Sequence, residues 1–182
     1  MKIACLGWGS LIWDPRGLNI EGGWKKDGPG LPVEFARRSG DGRLTLVLYP
    51  ELEPVKVLWA LMDTEDISES RKNLQAREGT IERYIDYIWK NEEYSYVLDS
   101  VEVVKGWAQE KGLDGVVWTG LYSNFEGKTG MEFTVENAVK YLDGLTSEDR
   151  KKAKEYIQKA PSQVRTPVRE RVEDELGWQS EE

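Results

Sequence analysis

The chain has no histidine and a single cysteine, Cys5, among 182 residues. Without imidazole, Ser-His-Asp and Cys-His nucleophilic sites are excluded, and so is every zinc site that depends on a histidine ligand. One thiol cannot form an intrachain disulfide or a thiolate cluster. Its place in the apolar run that starts at Ile3 makes Cys5 a buried, inert thiol. Catalysis by such a chain is confined to carboxylates, Lys, Arg, Tyr, hydroxyls, backbone amides or a hard metal held by oxygen.

Other absences narrow the choice further. No 18 apolar residues run together, and no basic leader precedes a small-residue cleavage site, so the expectation is a soluble, unexported, cytoplasmic protein with no membrane association. There is no basic stripe. Asp and Glu number 33 against 25 Lys and Arg, for a net charge of −8, so nucleic acid is not the expected partner. A small molecule or another protein is. No internal repeat or low-complexity tract is visible, and nothing fixes the oligomeric state.

What is present fits one domain of ordinary size over residues 1–178, with 179–182 as a disordered tail. Hydrophobic residues make up 39% of the chain, enough for a sizeable core. Lys2 to Leu6 reads as a buried strand ending at Gly7, and 14–30, rich in Gly, Pro and charge, as a long surface loop. Leu31 to Arg38, Arg43 to Tyr49 and Val55 to Met62 read as three antiparallel strands, the first two joined by a turn at Ser39-Gly40-Asp41-Gly42.

Asp66 to Glu78 reads as a helix, with Asp66 as candidate N-cap and Gly79 placed like a C′ glycine. Ile81, Tyr84, Ile85, Ile88 and Trp89 follow at i, i+3, i+4, i+7 and i+8, which predicts a second helix. A helix over Ser100 to Lys111 and a buried strand over Gly115 to Leu121 come next. Helical patterns recur at Val135 to Leu142, Ser147 to Lys159 and Val164 to Leu176, forming a helical extension over about 134–178. Val164, Val168, Val172 and Leu176 recur about every four residues there, a stripe suited to covering the chain's own core or a partner.

Two short stretches can carry chemistry. Gly7-Trp8-Gly9-Ser10 follows a buried strand, and glycines there let backbone amides approach a carboxylate, a phosphate or an oxyanion; in a plain setting the same residues make a tight turn. The spacing is not the dinucleotide fingerprint, because position 12 is Ile, and no phosphate-loop lysine follows. The second stretch is Leu74-Gln75-Ala76-Arg77-Glu78-Gly79. A glutamate at a helix C-terminus, if also buried, has its pKa raised and suits a general base; on a solvated surface it would only pair with a nearby arginine.

Together the two stretches resemble the gamma-glutamylcyclotransferase-like superfamily. Trp8-Gly9-Ser10-Leu11 matches that family's Tyr-Gly-Ser-Leu loop, with Trp8 in place of the tyrosine. Phe35-Ala36-Arg37-Arg38 and Val57-Leu58-Trp59-Ala60-Leu61 resemble its next strands. Leu74 to Gly79 matches its Leu-Asp-X-X-Glu-Gly pattern, with Gln75 in place of the aspartate. The resemblance covers about the first 80 residues and rests on the order of these motifs.

It implies an α+β fold, a small mixed barrel-like sheet surrounded by helices, here with the helical C-terminal segment added. It further implies release of 5-oxoproline from a gamma-glutamyl amine, peptide or related small amide. Glu78 would be the catalytic base, and the backbone of Gly7, Trp8, Gly9, Ser10 and Leu11 would bind substrate, with no cofactor and no metal. The alternative is a non-catalytic small-molecule or protein-binding domain using the same cavity, a reading encouraged by eight tryptophans and eight tyrosines.

Overall fold

A computed structural model describes residues 1–90, 92–95 and 101–181. Ser100, where a helix was expected to begin, and Glu182 of the expected tail lie outside the described residues. The chain divides into two compact units: Met1–Gly7, Asp14–Leu31 and Lys56–Leu121 form the first; Trp8–Trp13, Pro32–Val55 and Tyr122–Glu182 form the second.

The first unit is built on a six-stranded mixed sheet. Its strands are β1 (Ile3–Gly7), β2 (Ile20–Lys25), β7 (Leu58–Met62), β8 (Ile85–Trp89), β9 (Glu92–Tyr94) and β10 (Gly115–Thr119), in the spatial order β2-β7-β1-β10-β8-β9. β1 runs parallel to β10, with Ile3 opposite Gly115 and Cys5 opposite Val117; the other pairings are antiparallel. Ile3, Ala4, Cys5 and Leu6 are fully buried, as expected of a central strand whose two faces are both covered. The α+β class and the mixed sheet agree with expectation. Among the described residues the sheet does not close into a barrel, because β2 and β9 are its two edges.

Helix α1 (Ile67–Glu78) packs on β10 and β8. Both of its ends are written in the local sequence. Asp66 Oδ1 accepts from the Ser68 and Glu69 N–H groups at 2.7 and 3.2 Å, and Gly79 takes the left-handed conformation at φ 60° while its N–H reaches the Ala76 carbonyl. Helix α2 (Val101–Glu110) buries Val104 and Trp107, and the Trp107 ring meets that of Trp59 edge-on at 5.3 Å. The short strand β3 (Gly30–Leu31) also belongs to this unit, and β6 (Val55–Lys56) lies where the chain returns to it.

Three sequence expectations are corrected here. The helix expected over 81–89 is a 3-10 turn, Glu82–Tyr84, followed by strand β8. Ile, Tyr and Trp suit a strand, and Ile85 to Trp89 pair residue by residue with β10, so sheet pairing overrides a coincidental helical period. The expected loop over 14–30 contains β2, which pairs with β7 through an irregularity between Glu21 and Lys25, where Gly22 has φ 71°; glycine permits that kink in an edge strand. The third of the expected antiparallel strands, β7, pairs with β1 and β2.

The second unit combines the hairpin of β4 (Val33–Arg38) and β5 (Leu44–Leu48) with four helices: α3 (Phe125–Thr129), α4 (Val135–Asp143), α5 (Ser147–Lys159) and α6 (Pro167–Leu176). The turn at 39–42 forms as expected, with Gly42 at φ 83°. Val164, Val168 and Val172 are fully buried, so the stripe covers this unit's own core. Arg169, also fully buried, donates to four carbonyls: Pro161 and Val164 from Nη1, and Ile157 and Ala160 from Nη2. One guanidinium thereby satisfies the carbonyls at and beyond the α5 C-terminus. Gln179 O accepts from Gln158 Nε2 at 3.0 Å.

Candidate functional site

Glu78 is the last residue of α1, and its side chain is 19% exposed. Arg77 Nη1 donates to Glu78 Oε1 at 3.0 Å, while Arg77 Nη2 donates to the Asp14 carbonyl at 2.7 Å. The guanidinium therefore ties the end of α1 to the point where the chain re-enters the first unit.

Two influences oppose each other at the Glu78 carboxyl. Burial raises its pKa above the ordinary carboxylate value; Arg77, and then Arg16, pull it back. Burial prevails, so the group holds a proton more readily than a surface glutamate does. It also lies close enough to the Cys5 thiol to act on it: burial and then the Glu78 charge push that thiol well above its ordinary value. Cys5 is thus a protonated core residue and no nucleophile.

The packing of α1 on β8 and β10 identifies the face of the sheet on which α1 lies. Cys5 is opposite Val117, and Val117 is opposite Tyr87, whose ring lies 4.4 Å from the Arg71 guanidinium on α1. Side chains two residues apart along a strand share a face. Gly7, two residues beyond Cys5, and Thr119, two beyond Val117, therefore stand on the α1 side, at the end of the sheet. Of the expected site residues, Gly7 and Glu78 both belong to this unit, and Gly7 is buried.

Trp8, Gly9, Ser10 and Leu11 belong to the second unit. The Trp8 indole is 5% exposed and donates to the Leu46 carbonyl on β5 at 3.3 Å, so its side chain is committed to packing. Leu11 is buried too, Ser10 is partly exposed, and the Ile12 N–H closes a turn onto the Gly9 carbonyl at 3.0 Å. Gly9 faces Tyr156 on α5: a Cβ there would stand 2.6 Å from the Tyr156 hydroxyl oxygen. The Tyr156 ring in turn meets Trp13 edge-on at 5.2 Å. This turn can present backbone groups; the Trp8 ring is not one of its free surfaces.

The pairing of Glu78 with a nearby arginine, which the sequence offered for a solvated surface, is made here by a nearly buried Arg77. One feature escaped the sequence reading. Thr119 Oγ1 is buried without a hydrogen-bond partner among the described residues, and its signal was a hydroxyl followed by glycine at the end of the apolar run GVVWTGL. The second unit has a groove of about 570 Å³ lined by Tyr49, Asn124, Glu126, Glu132 and Phe133 among others.

Among the described residues, no group of three or more Cys, Asp or Glu side chains is arranged to hold a metal ion, and no helix is long and apolar enough to cross a membrane. No protein-family model matches the chain, and neither a curated protein nor a solved structure matches it.

Proposed function

We propose that the protein is a soluble, cytoplasmic enzyme resembling the gamma-glutamylcyclotransferases, which releases 5-oxoproline from a gamma-glutamyl amine, peptide or related small amide. The observation that carries this reading is the state of Glu78: a carboxyl largely buried at a helix end, with its pKa raised by burial yet held beside an arginine. A general base works best when its pKa approaches the working pH, and a raised carboxyl moves in that direction.

In this reading Glu78 takes a proton from the α-ammonium of the gamma-glutamyl group. The freed amine attacks its own γ-carbonyl, forming the ring C–N bond, and the carbonyl electrons pass to oxygen. As the tetrahedral intermediate collapses, protonated Glu78 gives its proton to the leaving nitrogen, the original amide C–N bond breaks, and the second proton of the ring nitrogen passes through Glu78 to the released amine, which departs as an ammonium. Atoms and charge balance with neither a metal nor a redox partner. The resemblance gives the substrate's charged end and the oxyanion to backbone amides, of which that of Gly7 lies in the same unit as Glu78. Ring closure is intramolecular, so the protein's task is to fix the reactive conformer and manage the proton.

The test is to incubate the purified protein with a panel of gamma-glutamyl amines and dipeptides, and with the matching alpha-glutamyl compounds, measuring 5-oxoproline and free amine. Stoichiometric release of both from gamma-linked compounds alone is expected. No release above the protein-free control from any gamma-linked compound would contradict the proposal.

A further inference from the structure

Thr119 ends β10 with 8% of its surface exposed, and its hydroxyl oxygen is fully buried without a hydrogen-bond partner among the described residues. A buried hydroxyl left unsatisfied destabilises the fold, whereas a methyl of the same shape carries no such cost. Valine would be the cheaper residue in a strand that otherwise reads Gly-Val-Val-Trp. Trp118 Nε1 is also buried without a partner, but Trp118 points to the opposite face of the sheet; Thr119 faces the α1 side.

That placement matters because of what else stands there. The parallel ladder of β1 and β10 ends at Cys5 opposite Val117, and Gly7 and Thr119 each lie two residues beyond it, on the α1 side and at the same end of the sheet. The backbone at this point is pinned. Gly120 N–H donates to the Tyr84 carbonyl at 2.8 Å, and a Cβ on Gly120 would stand 2.3–2.4 Å from the Asp86 carboxyl group. The hydroxyl is therefore carried on a rigid strand end, on the face toward which α1 brings Glu78.

The chemistry of an unblocked gamma-glutamyl group completes the argument. Its α-ammonium and α-carboxylate share one carbon, so a base that takes the ammonium proton has the α-carboxylate within a few ångströms. That carboxylate cannot face Glu78; it requires donors. Arg77 already directs Nη1 to Glu78 and Nη2 to Asp14. We infer that the Thr119 hydroxyl is a substrate-binding group, donating a hydrogen bond to the α-carboxylate of a gamma-glutamyl ligand. The inference rests on the reading of Glu78 as the base, and it makes an unblocked α-carboxylate a specificity requirement.

The experiment measures affinity and thermal stability for wild type, Thr119→Val, Thr119→Ser and Glu78→Gln. The probes are gamma-glutamyl methylamide and its decarboxylated counterpart, 4-aminobutyryl methylamide. Thr119→Val is expected to bind the first probe about tenfold more weakly, the loss of one hydrogen bond to a charged group, and the second with little change. Its midpoint of unfolding should be no lower than that of wild type, and Thr119→Ser should recover most of the affinity. Unchanged affinity in Thr119→Val, an equal loss for both probes, or a lowered midpoint would overturn the inference, as would a wild type that binds neither probe. Thr119-dependent binding in a wild type that forms no 5-oxoproline would overturn the role of Glu78 while leaving that of Thr119 standing.

Discussion

Arg77 and Glu78, adjacent in sequence, form an ion pair at 3.0 Å in which the arginine side chain is 2% exposed and the glutamate 19%. An ion pair alone would lower the glutamate pKa, yet burial outweighs the arginine and the net direction is upward. The pair holds the carboxylate in place and leaves it more basic than a surface glutamate.

Removing the arginine charge must therefore raise the Glu78 pKa further. Arg77→Met keeps the buried stem and loses the guanidinium, and Arg16→Gln removes a weaker, more exposed charge. Titration of the Glu78 carboxyl carbon by NMR should show an upward shift in both variants, larger in Arg77→Met, with the acid limb of any pH–rate profile moving the same way. A downward shift in either variant would contradict this balance of forces.

Glu34 makes a separate prediction about stability. It is fully buried on β4; Oε1 accepts from the Phe35 N–H at 2.7 Å and the Thr166 hydroxyl at 2.6 Å, and Oε2 from the Val168 N–H at 3.1 Å. Burial pushes its pKa from 4.5 up to about 7 against these three hydrogen bonds. Between those values the folded chain keeps a proton that the unfolded chain has released, so the contribution of this group to stability is greatest below pH 4.5 and is lost as the pH rises through 7. The slope from this group is at most about 1.4 kcal/mol per pH unit. Urea melts at pH 5 and pH 7.5 should show Glu34→Gln losing less stability over that interval than wild type. The variant should also be weaker at pH 5, because one amide orientation or the other sets an N–H against an N–H donor.

At Gly9 the obstacle to a side chain is the Tyr156 hydroxyl at 2.6 Å, while the Tyr156 Cζ, at 3.6 Å, is in ordinary contact range. Gly9→Ala should destabilise the protein by about 1–3 kcal/mol, the cost of overpacking, and Gly9→Ala combined with Tyr156→Phe should recover most of that loss. Denaturation of the two single variants and the double variant provides the cycle. A double variant no more stable than the additive sum would show that the hydroxyl is not what excludes a side chain at residue 9.

Features set by neighbours in sequence were readable in advance. The Asp66 cap, the Gly79 terminator, the turn at 39–42 and the limits of α4 and α5 depend on residues within a few positions of one another. What failed depended on distant partners. Ile85 to Trp89 became a strand because β10 offered a ladder; β2 emerged from a Gly-rich stretch because β7 had an edge to pair; β7 itself joined β1, not β5. The same division holds for the candidate residues. A glutamate before a helix-ending glycine could be singled out from sequence, but the commitment of the Trp8 indole to Leu46, 38 residues away, could not. Nor could the burial of the Thr119 hydroxyl, which depends on strands far away in sequence that flank β10.

The central claim is that the Glu78 carboxylate moves the proton in 5-oxoproline formation. The most direct measurement is the rate of 5-oxoproline release by Glu78→Gln and wild type on the gamma-glutamyl compound that wild type turns over fastest, with folding of the variant verified by its unfolding midpoint. Loss of a positioned base predicts a fall of about 10²–10⁴ in kcat with the variant still folded. Equal rates in the two folded proteins would contradict the account.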